Sequence, residues 1–287
     1  MATFYNQATL SYRNNTVNSN TVSGELVAVL SATKHSLESE YSTNDEITYV
    51  INITNAGTTA FSGLTITDNL GAYTAQTTPA VTLVPLTYVG DSLQYYVNGV
   101  LQTQPVITSD NPFSISGISV PAGGNATLIY KASVNSFAPP ASGSAITNTV
   151  TVTGSGVSTD LTAQNTISVS NSPRLAIYKS ICPSVVSENG TVNYTFNILN
   201  YGNTEATALD NIIVTDTFNP ILSNLSVKYN DTIWAPTTNY TYVATSGAFE
   251  TVAGQITVPA ATFTQDATTG KYTITPGVST LTVTGTV

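Results

Sequence analysis

The chain repeats one strand-rich unit, and the second copy lacks the strand that closes the first. The matching segments within the 287 residues are 30–34 with 175–179, 47–57 with 192–202, 65–68 with 213–216, and 122–134 with 276–287. The first copy continues to a further segment with strand character at 145–152, whereas the second stops at Val287. We therefore expect a second unit with an open edge.

A segment with the pattern of the absent strand lies at the opposite end of the chain. Residues 3–12 repeat the pattern of 145–152, and Asn6 stands in the place of Asn148. The following segment 20–23 also resembles 165–168. We interpret the N-terminal segment as a donor strand that presents Phe4, Asn6, Ala8, Leu10 and Tyr12.

Alternating apolar and polar residues in short segments predict antiparallel strands with one solvated face. Many such segments, separated by Gly, Asn and Pro, are typical of immunoglobulin-like β-sandwiches. The predicted fold is all-β. It comprises an arm over residues 1–26, a first sandwich over 27–170 and a second, strand-deficient sandwich over 171–287.

The composition argues against several classes of function. A net charge of -9 with seven basic residues disfavours nucleic acid as a partner. One His and one Cys do not make a zinc site, and the acidic turn at 44–46 lacks the ligand pattern of a calcium loop, so no metal or cofactor is expected. The lone Cys182 is expected to be a buried small residue, with an intermolecular cross-link as the alternative.

A sandwich that lacks a strand exposes unpaired backbone groups and part of its core, and a donated strand can cover both. The arm could complete its own second domain or that of a neighbour. Because residues paired as strands cannot also act as a tether, we expect donation to a neighbour. A head-to-tail contact that does not close on itself builds a filament of identical subunits.

The segments around Lys34, 49–57 and Asp68, and around Lys179, 194–202 and Asp216, resemble the conserved-repeat modules of bacterial surface proteins known as domain of unknown function 11. Immunoglobulin-like relatives of these modules in pilins and adhesins often carry a spontaneous Lys–Asn isopeptide bond. The resemblance therefore implies such a bond in this chain.

The residue types suit that chemistry. A lysine desolvated in an apolar core can become a neutral nucleophile, and a nearby carboxyl group can polarise the amide of an asparagine. For the first domain we expect Lys34 as nucleophile, Asn148 as acceptor and Asp68 as assisting acid, with Glu46 as the alternative acid. The expected set in the second domain is Lys179, Asp216 and Asn6 of another subunit.

These features together predict a structural subunit of an extracellular fibre or pilus-like appendage on a cell or spore surface. Its partners would be copies of itself, with no membrane insertion and with any anchoring or capping protein unknown. No secretory signal or apolar run of membrane-spanning length is visible. The alternative is an adhesin stalk or binding module that uses aromatic residues such as Tyr88, Tyr95, Tyr96, Trp234 and Tyr240. One His and no Gly-X-Ser-X-Gly motif argue against an enzyme.

Overall fold

A computed structural model describes residues 2–75 and 79–287, with only the backbone of Ala2 and Leu26. The chain divides into two compact units. One contains the residues up to Ala138 and Ala145–Ser168, and the other contains Pro139–Ser144 and Val169–Val287. The structure confirms the predicted all-β class, since its only described helix is a single 3-10 turn at Ala208–Asp210.

The N-terminal arm is a β-hairpin. Its strands are β1 (Ala2–Asn6), β2 (Thr9–Tyr12), β3 (Asn15–Asn18) and β4 (Val22–Leu26). Strand β1 pairs with β4 and β2 with β3, both antiparallel. Arg13 and Asn14 form the turn with positive φ angles of 42° and 65°, as a two-residue type I′ connection requires.

After the arm, the first sandwich has fourteen strands among its described residues, some of only two residues. They are β5 (Leu30–Ser36), β6 (Glu40–Tyr41), β7 (Glu46–Asn55), β8 (Phe61–Asp68), β9 (Tyr73–Thr74), β10 (Thr82–Leu83), β11 (Leu86–Tyr88), β12 (Gln94–Val97), β13 (Val100–Leu101), β14 (Val106–Asp110), β15 (Phe113–Val120), β16 (Asn125–Val134), β17 (Ala145–Thr153) and β18 (Leu161–Val169). One sheet has the order β13-β12-β16-β7-β5, with β11 also on β16, and the other has β14-β15-β8-β17-β18-β6. The core lies between these two sheets.

The second unit repeats the first sheet but only part of the second. Its strands are β19 (Leu175–Cys182), β20 (Thr191–Asn200), β21 (Thr215–Thr217), β22 (Ser223–Tyr229), β23 (Thr232–Trp234), β24 (Tyr240–Val243), β25 (Ala248–Thr251), β26 (Thr262–Gln265), β27 (Tyr272–Thr275) and β28 (Gly277–Thr286). The larger sheet has the order β19-β20-β28-β22-β23, and the smaller sheet has β21-β25-β24. Within the described chain, no strand corresponds to β17 or β18 in this unit.

Period-two alternation explains why these segments form strands. Along β7, Ile47, Tyr49, Ile51 and Ile53 are fully buried while the residues between them face outward. Strand β20 repeats this pattern with Val192, Phe196 and Ile198. Branched and aromatic side chains on one face thus provide the core of each unit.

Cys182 is exposed at the end of β19, so the expectation of burial is wrong. Strand β19 is the edge of its sheet, and all of its residues except Ala176 are exposed. Strand β5 is likewise an edge strand in the first unit, and the counterpart of Cys182 there, Leu37, is also exposed, so the position at the end of the edge strand accounts for the exposure. Among the described residues no helix has the length and apolarity of a membrane span.

Equivalent asparagines brace the turn after the second strand of each unit. The Asn55 amide donates to the carbonyl oxygens of Thr59 and Pro121 and accepts from the Gly57 N–H. Asn200 likewise donates to the carbonyl oxygens of Thr204 and Val258. Both asparagines are buried, so these hydrogen bonds satisfy groups that water does not reach.

We predict that Asn200→Ala lowers the free energy of unfolding of the second unit by about 2–3 kcal/mol, because it removes the hydrogen-bond partner of the buried Gly202 N–H and of the Thr204 carbonyl oxygen. The single tryptophan of the chain, Trp234, lies in this unit, so its fluorescence during urea unfolding reports the loss. The control is Asn197→Ala on the same strand, where the side chain is half-buried and its Oδ1 accepts from Thr280. Equal losses for the two variants would contradict the bracing role of Asn200.

Candidate functional site

Lys34 lies at the centre of the first unit, on the inner face of β5. Its side chain has no exposed surface, and its ammonium group contacts the carboxylate of Asp68 at the end of β8. The Nζ atom also donates to the Tyr130 hydroxyl at 3.2 Å and lies 4.8 Å from the ring centroid of Tyr49. This buried ion pair and the aromatic rings around it form the lysine centre of the first unit.

Strand β17 closes this centre and supplies Asn148. The pairing of β17 with β8 sets Val150 opposite Asp68, so Asn148 enters the core beside that carboxylate. Asn148 is fully buried, and its Nδ2 donates to the Tyr130 hydroxyl at 3.2 Å. Its Oδ1 has no hydrogen-bond partner among the described residues. The amine of Lys34 and the amide of Asn148 therefore contact the same phenol oxygen.

The dry surroundings change the acid–base properties of these groups. Burial lowers the pKa of Lys34 to about 8, against the opposing influence of the Asp68 charge and hydrogen bond. At neutral pH about one lysine in ten is then a neutral amine. Burial raises the pKa of Tyr130 well above its usual value, so this phenol stays protonated and donates to Asp68. The centre holds a potential nucleophile and a hydrogen-bonded path from the carboxylate to the amide.

The second unit contains the same lysine–aspartate pair. Lys179 on β19 contacts the Asp216 carboxylate on β21. Its Nζ lies 4.6 Å from the ring centroid of Tyr194, 5.4 Å from that of Phe196 and 5.3 Å from that of Phe218. Aromatic surroundings for the lysine are thus common to both units.

The two centres differ in what covers them. The side chain of Lys34 is 0% exposed and that of Asp68 is 1% exposed, whereas Lys179 is 40% and Asp216 is 18% exposed. Strand β8 pairs with β15 on one side and β17 on the other, but β21 pairs only with β25 among the described strands. The centre in the second unit is open along the edge that β17 covers in the first.

A second difference concerns the phenol. Val283 lies opposite Tyr194 in the second unit, at the position that Tyr130 occupies opposite Tyr49 in the first. Sequence reasoning did not identify Tyr130. The alternation along β16 predicts that Tyr130 points into the core. Comparison of the two repeats does not single it out, because the second repeat has no tyrosine at the equivalent position.

The remaining predicted residues are placed as follows. Asn6 lies in the exposed hairpin opposite Val22, and no hydrogen bond joins it to Lys179 in the described part of this single chain. Phe4, Ala8, Leu10 and Tyr12 are exposed in the same hairpin. Glu46, the alternative acid, pairs with Lys131 at the surface at 3.0 Å, with both side chains half exposed. The structure therefore does not bring Glu46 to Lys34.

The aromatic residues of the variable inserts mainly fill the core. Tyr95, Trp234 and Tyr240 are buried, and Tyr88 stacks on Phe113 with ring centroids 4.1 Å apart. In residues 2–75 and 79–287 no group of three His, Cys, Asp or Glu side chains is placed to hold a metal ion. The geometry that remains for chemistry is that of the two lysine centres.

Comparison with known proteins gives structural likenesses of low identity. No protein-family model matches the chain, so its resemblance to the conserved-repeat modules stays a prediction. No curated protein matches it. The solved structures similar to it include BcpA, the major pilin subunit of Bacillus cereus, with 13% identity, a TM-score of 0.36 and coverage of 96% of this chain and 73% of that one.

Two further structures are of surface proteins. The pilus backbone RrgB from Streptococcus pneumoniae has 10% identity and a TM-score of 0.34, with coverage of 87% of this chain but only 55% of RrgB. The collagen-binding subdomain of the Enterococcus faecalis surface protein ACE has 7% identity and a TM-score of 0.29, with coverage of 50% of this chain and 97% of that one. Likeness at this level does not define a shared function.

We predict a pH dependence for a variant whose Lys34 amine stays free, Asn148→Ala. The folded pKa of Lys34, about 8, lies below its ordinary value of 10.5. The unfolded state therefore binds more protons between these values, and stability rises with pH across that window. Between pH 8 and 10.5, the free energy of unfolding of Asn148→Ala should rise by up to about 3 kcal/mol relative to that of the double variant Asn148→Ala/Lys34→Met. Urea unfolding, monitored by near-ultraviolet circular dichroism, measures the free energy of unfolding of both variants. If the difference in free energy between them does not change with pH, the prediction is wrong.

Proposed function

We propose that this protein is a self-assembling structural subunit of a surface fibre. Each subunit donates its N-terminal arm to the open second unit of a neighbour. A Lys34–Asn148 isopeptide bond locks the first unit, and a Lys179–Asn6 bond joins neighbouring subunits. The protein has no substrate to turn over, because each bond forms once and modifies the chain itself.

One observation carries this proposal. The same lysine–aspartate pair, set among aromatic rings, is closed by an asparagine-bearing strand in one unit and exposed in the other. The arm has the alternation of that strand, with Asn6 in register with Asn148. An exposed core edge and an exposed apolar hairpin on the same chain are complementary surfaces, and each is unfavourable in water when left uncovered.

The proposed bond formation proceeds by attack of the neutral lysine amine on the asparagine carboxamide. A proton passes from the Lys34 ammonium to Asp68, and the free Nζ attacks Cγ of Asn148. The carboxyl group of Asp68 polarises the amide oxygen and gives its proton to the departing nitrogen. The carboxylate of Asp68 then takes the second proton that the attacking Nζ loses as it becomes an amide nitrogen. A new C–N bond replaces the original one, and one ammonia leaves. Fixing both groups in a dry core supplies the effective concentration that the reaction needs.

Neighbour donation is supported by the short connection after the hairpin. Strand β4 ends at Leu26 and β5 begins at Leu30, which leaves residues 27–29 between the hairpin and the first sandwich. Because the arm is folded back on itself, its reach is about 40 Å, roughly half that of an extended arm. A head-to-tail chain of covalent links would resist unfolding kinetically, which suits a fibre exposed outside the cell.

We predict that Asn6→Ala abolishes the covalent link between subunits, since it removes the acceptor amide. Wild-type filaments should resist SDS, and their digests should contain a peptide that joins Asn6 to Lys179 with one ammonia lost. Filaments of Asn6→Ala should dissociate to monomers in SDS. The control Gln7→Ala changes the adjacent residue, which lies on the opposite face of the strand. Filaments of this variant should remain resistant to SDS. Unmodified Lys179 throughout washed wild-type filaments would refute the covalent link.

We also predict that Tyr130→Phe slows formation of the bond within the first unit by about 10- to 100-fold, because its hydroxyl joins Asp68 to the departing amide nitrogen. Intact-mass measurement after refolding follows the loss of ammonia with time. The matched control is Tyr88→Phe, since the Tyr88 ring lies 6.4 Å from that of Tyr130 and its buried hydroxyl has no hydrogen-bond partner among the described residues. Equal slowing by both changes would indicate a packing effect only.

A further inference from the structure

The arm is already a two-stranded element before any partner binds. Its antiparallel ladder runs from Ala2 opposite Leu26 to Tyr12 opposite Asn15. Between the two ladder segments, the Ser19 N–H donates to the Ala8 carbonyl oxygen at 2.8 Å. Donation of β1 and β2 alone would break all of these hydrogen bonds. Donation of the whole hairpin would keep them.

Among the described residues, the second unit has no counterpart of two strands of the first unit. In the first unit β18 follows β17 and pairs on its far side with β6, where Tyr41 is buried. Val186 stands seven residues after Lys179, as Tyr41 stands seven residues after Lys34. Yet Val185 and Val186 form no strand, and Val185 is 86% exposed. In the part of the chain that the structure describes, the segment equivalent to β6 therefore pairs with no strand, and no strand stands where β18 does in the first unit.

The cross-strand pairs of the arm use the same strand faces as those of the β17–β18 hairpin, although the residue types on the second strand differ. The arm pairs Asn6 with Val22, two residues beyond Asn20, which the likeness of 20–23 to 165–168 places at the position of Asn165. Asn148 lies opposite Asn165 in the first unit, and Asn6 lies opposite Val22 in the arm. In the first unit, the flanking pairs on the same face are Ile146 with Ile167 and Val152 with Leu161. The corresponding pairs in the arm are Phe4 with Gly24 and Leu10 with Val17.

Val22 and Val17 therefore lie on the face that carries Asn6. In the free arm Val22 is 55% exposed and Val17 is 51% exposed, like the apolar residues of the first strand. Gly24 lies opposite Phe4, and a Cβ at this position would lie 2.4 Å from the tip of the Phe4 ring, so the ring packs over the glycine in the free arm. Both strands of the arm thus contribute to one apolar face.

From these observations we propose that the open edge of the second unit accepts both strands of the hairpin from another copy of this chain. Strands β1 and β2 pair with the free edge of β21, and β4 pairs with Val185 and Val186, which become a strand as Glu40 and Tyr41 are in the first unit. This inference rests on the proposed fibre function and specifies the element exchanged. A preformed hairpin also reduces the conformational entropy lost on binding.

The test compares Val22→Asp with Ser23→Asp. Adjacent strand residues face opposite sides, so the first variant places a charge on the inner face and the second on the solvent face. Val22 is already exposed in the free chain, so neither change should unfold the subunit. Light scattering measures the rate of filament growth. We expect Val22→Asp to reduce this rate at least tenfold, and Ser23→Asp to keep it within about twofold of the wild-type rate.

Hydrogen–deuterium exchange on wild-type filaments provides the second measurement. Hairpin donation predicts that amides of 15–26 and of Val185 and Val186 gain protection together with those of 2–12. Donation of the whole hairpin would be refuted if protection were limited to 2–12, the two variants grew equally fast and the Asn6–Lys179 link were intact. The proposed fibre function would be unaffected by that result. Absence of filaments and of linked peptide in the wild type would instead refute the fibre function itself.

Discussion

The structure depends on a lysine ammonium placed against a carboxylate in the apolar core of a β-sandwich. Such a pair is costly to desolvate, and replacing it with apolar side chains is often neutral or stabilising. The same pair recurs in the second unit among aromatic rings but partly exposed, and the proposed scheme of bond formation gives both pairs a chemical role. Conversion to an amide would remove both the charge on the lysine and the penalty for burying it.

The covering strands determine what each centre can do. With β17 in place, Lys34 is dry, its pKa falls to about 8, and Asn148 shares a phenol contact with it. In the second unit, where no described strand stands at that position, Lys179 remains partly in water and pairs with Asp216. Under the proposed scheme, arrival of a donated strand would both complete the fold and dry the lysine. Bond formation would then depend on correct docking.

The amino-acid sequence was sufficient to predict the all-β class, because alternation such as that of β7 directly reports the buried face of a strand. It also identified Lys34, Asp68 and Asn148, which the structure places around one phenol oxygen. Tyr130 was missed because its counterpart is Val283, and the hairpin was missed because β3 is short and mostly polar. Cys182 was misjudged, since residue type does not report position: it lies at the end of an edge strand, where its counterpart in the first unit, Leu37, is also exposed.

The central claim is that the second unit is completed by another subunit, and complementation between two inactive variants tests it most directly. Lys179→Arg removes the amine but keeps the arm, whereas Asn6→Ala removes the acceptor amide but keeps the amine. Neither variant should form a covalent link alone. An equimolar mixture should give an SDS-resistant dimer joined once, from Asn6 of one subunit to Lys179 of the other. If the mixture stays monomeric in SDS under conditions where the wild type forms covalent links, donation between subunits is contradicted.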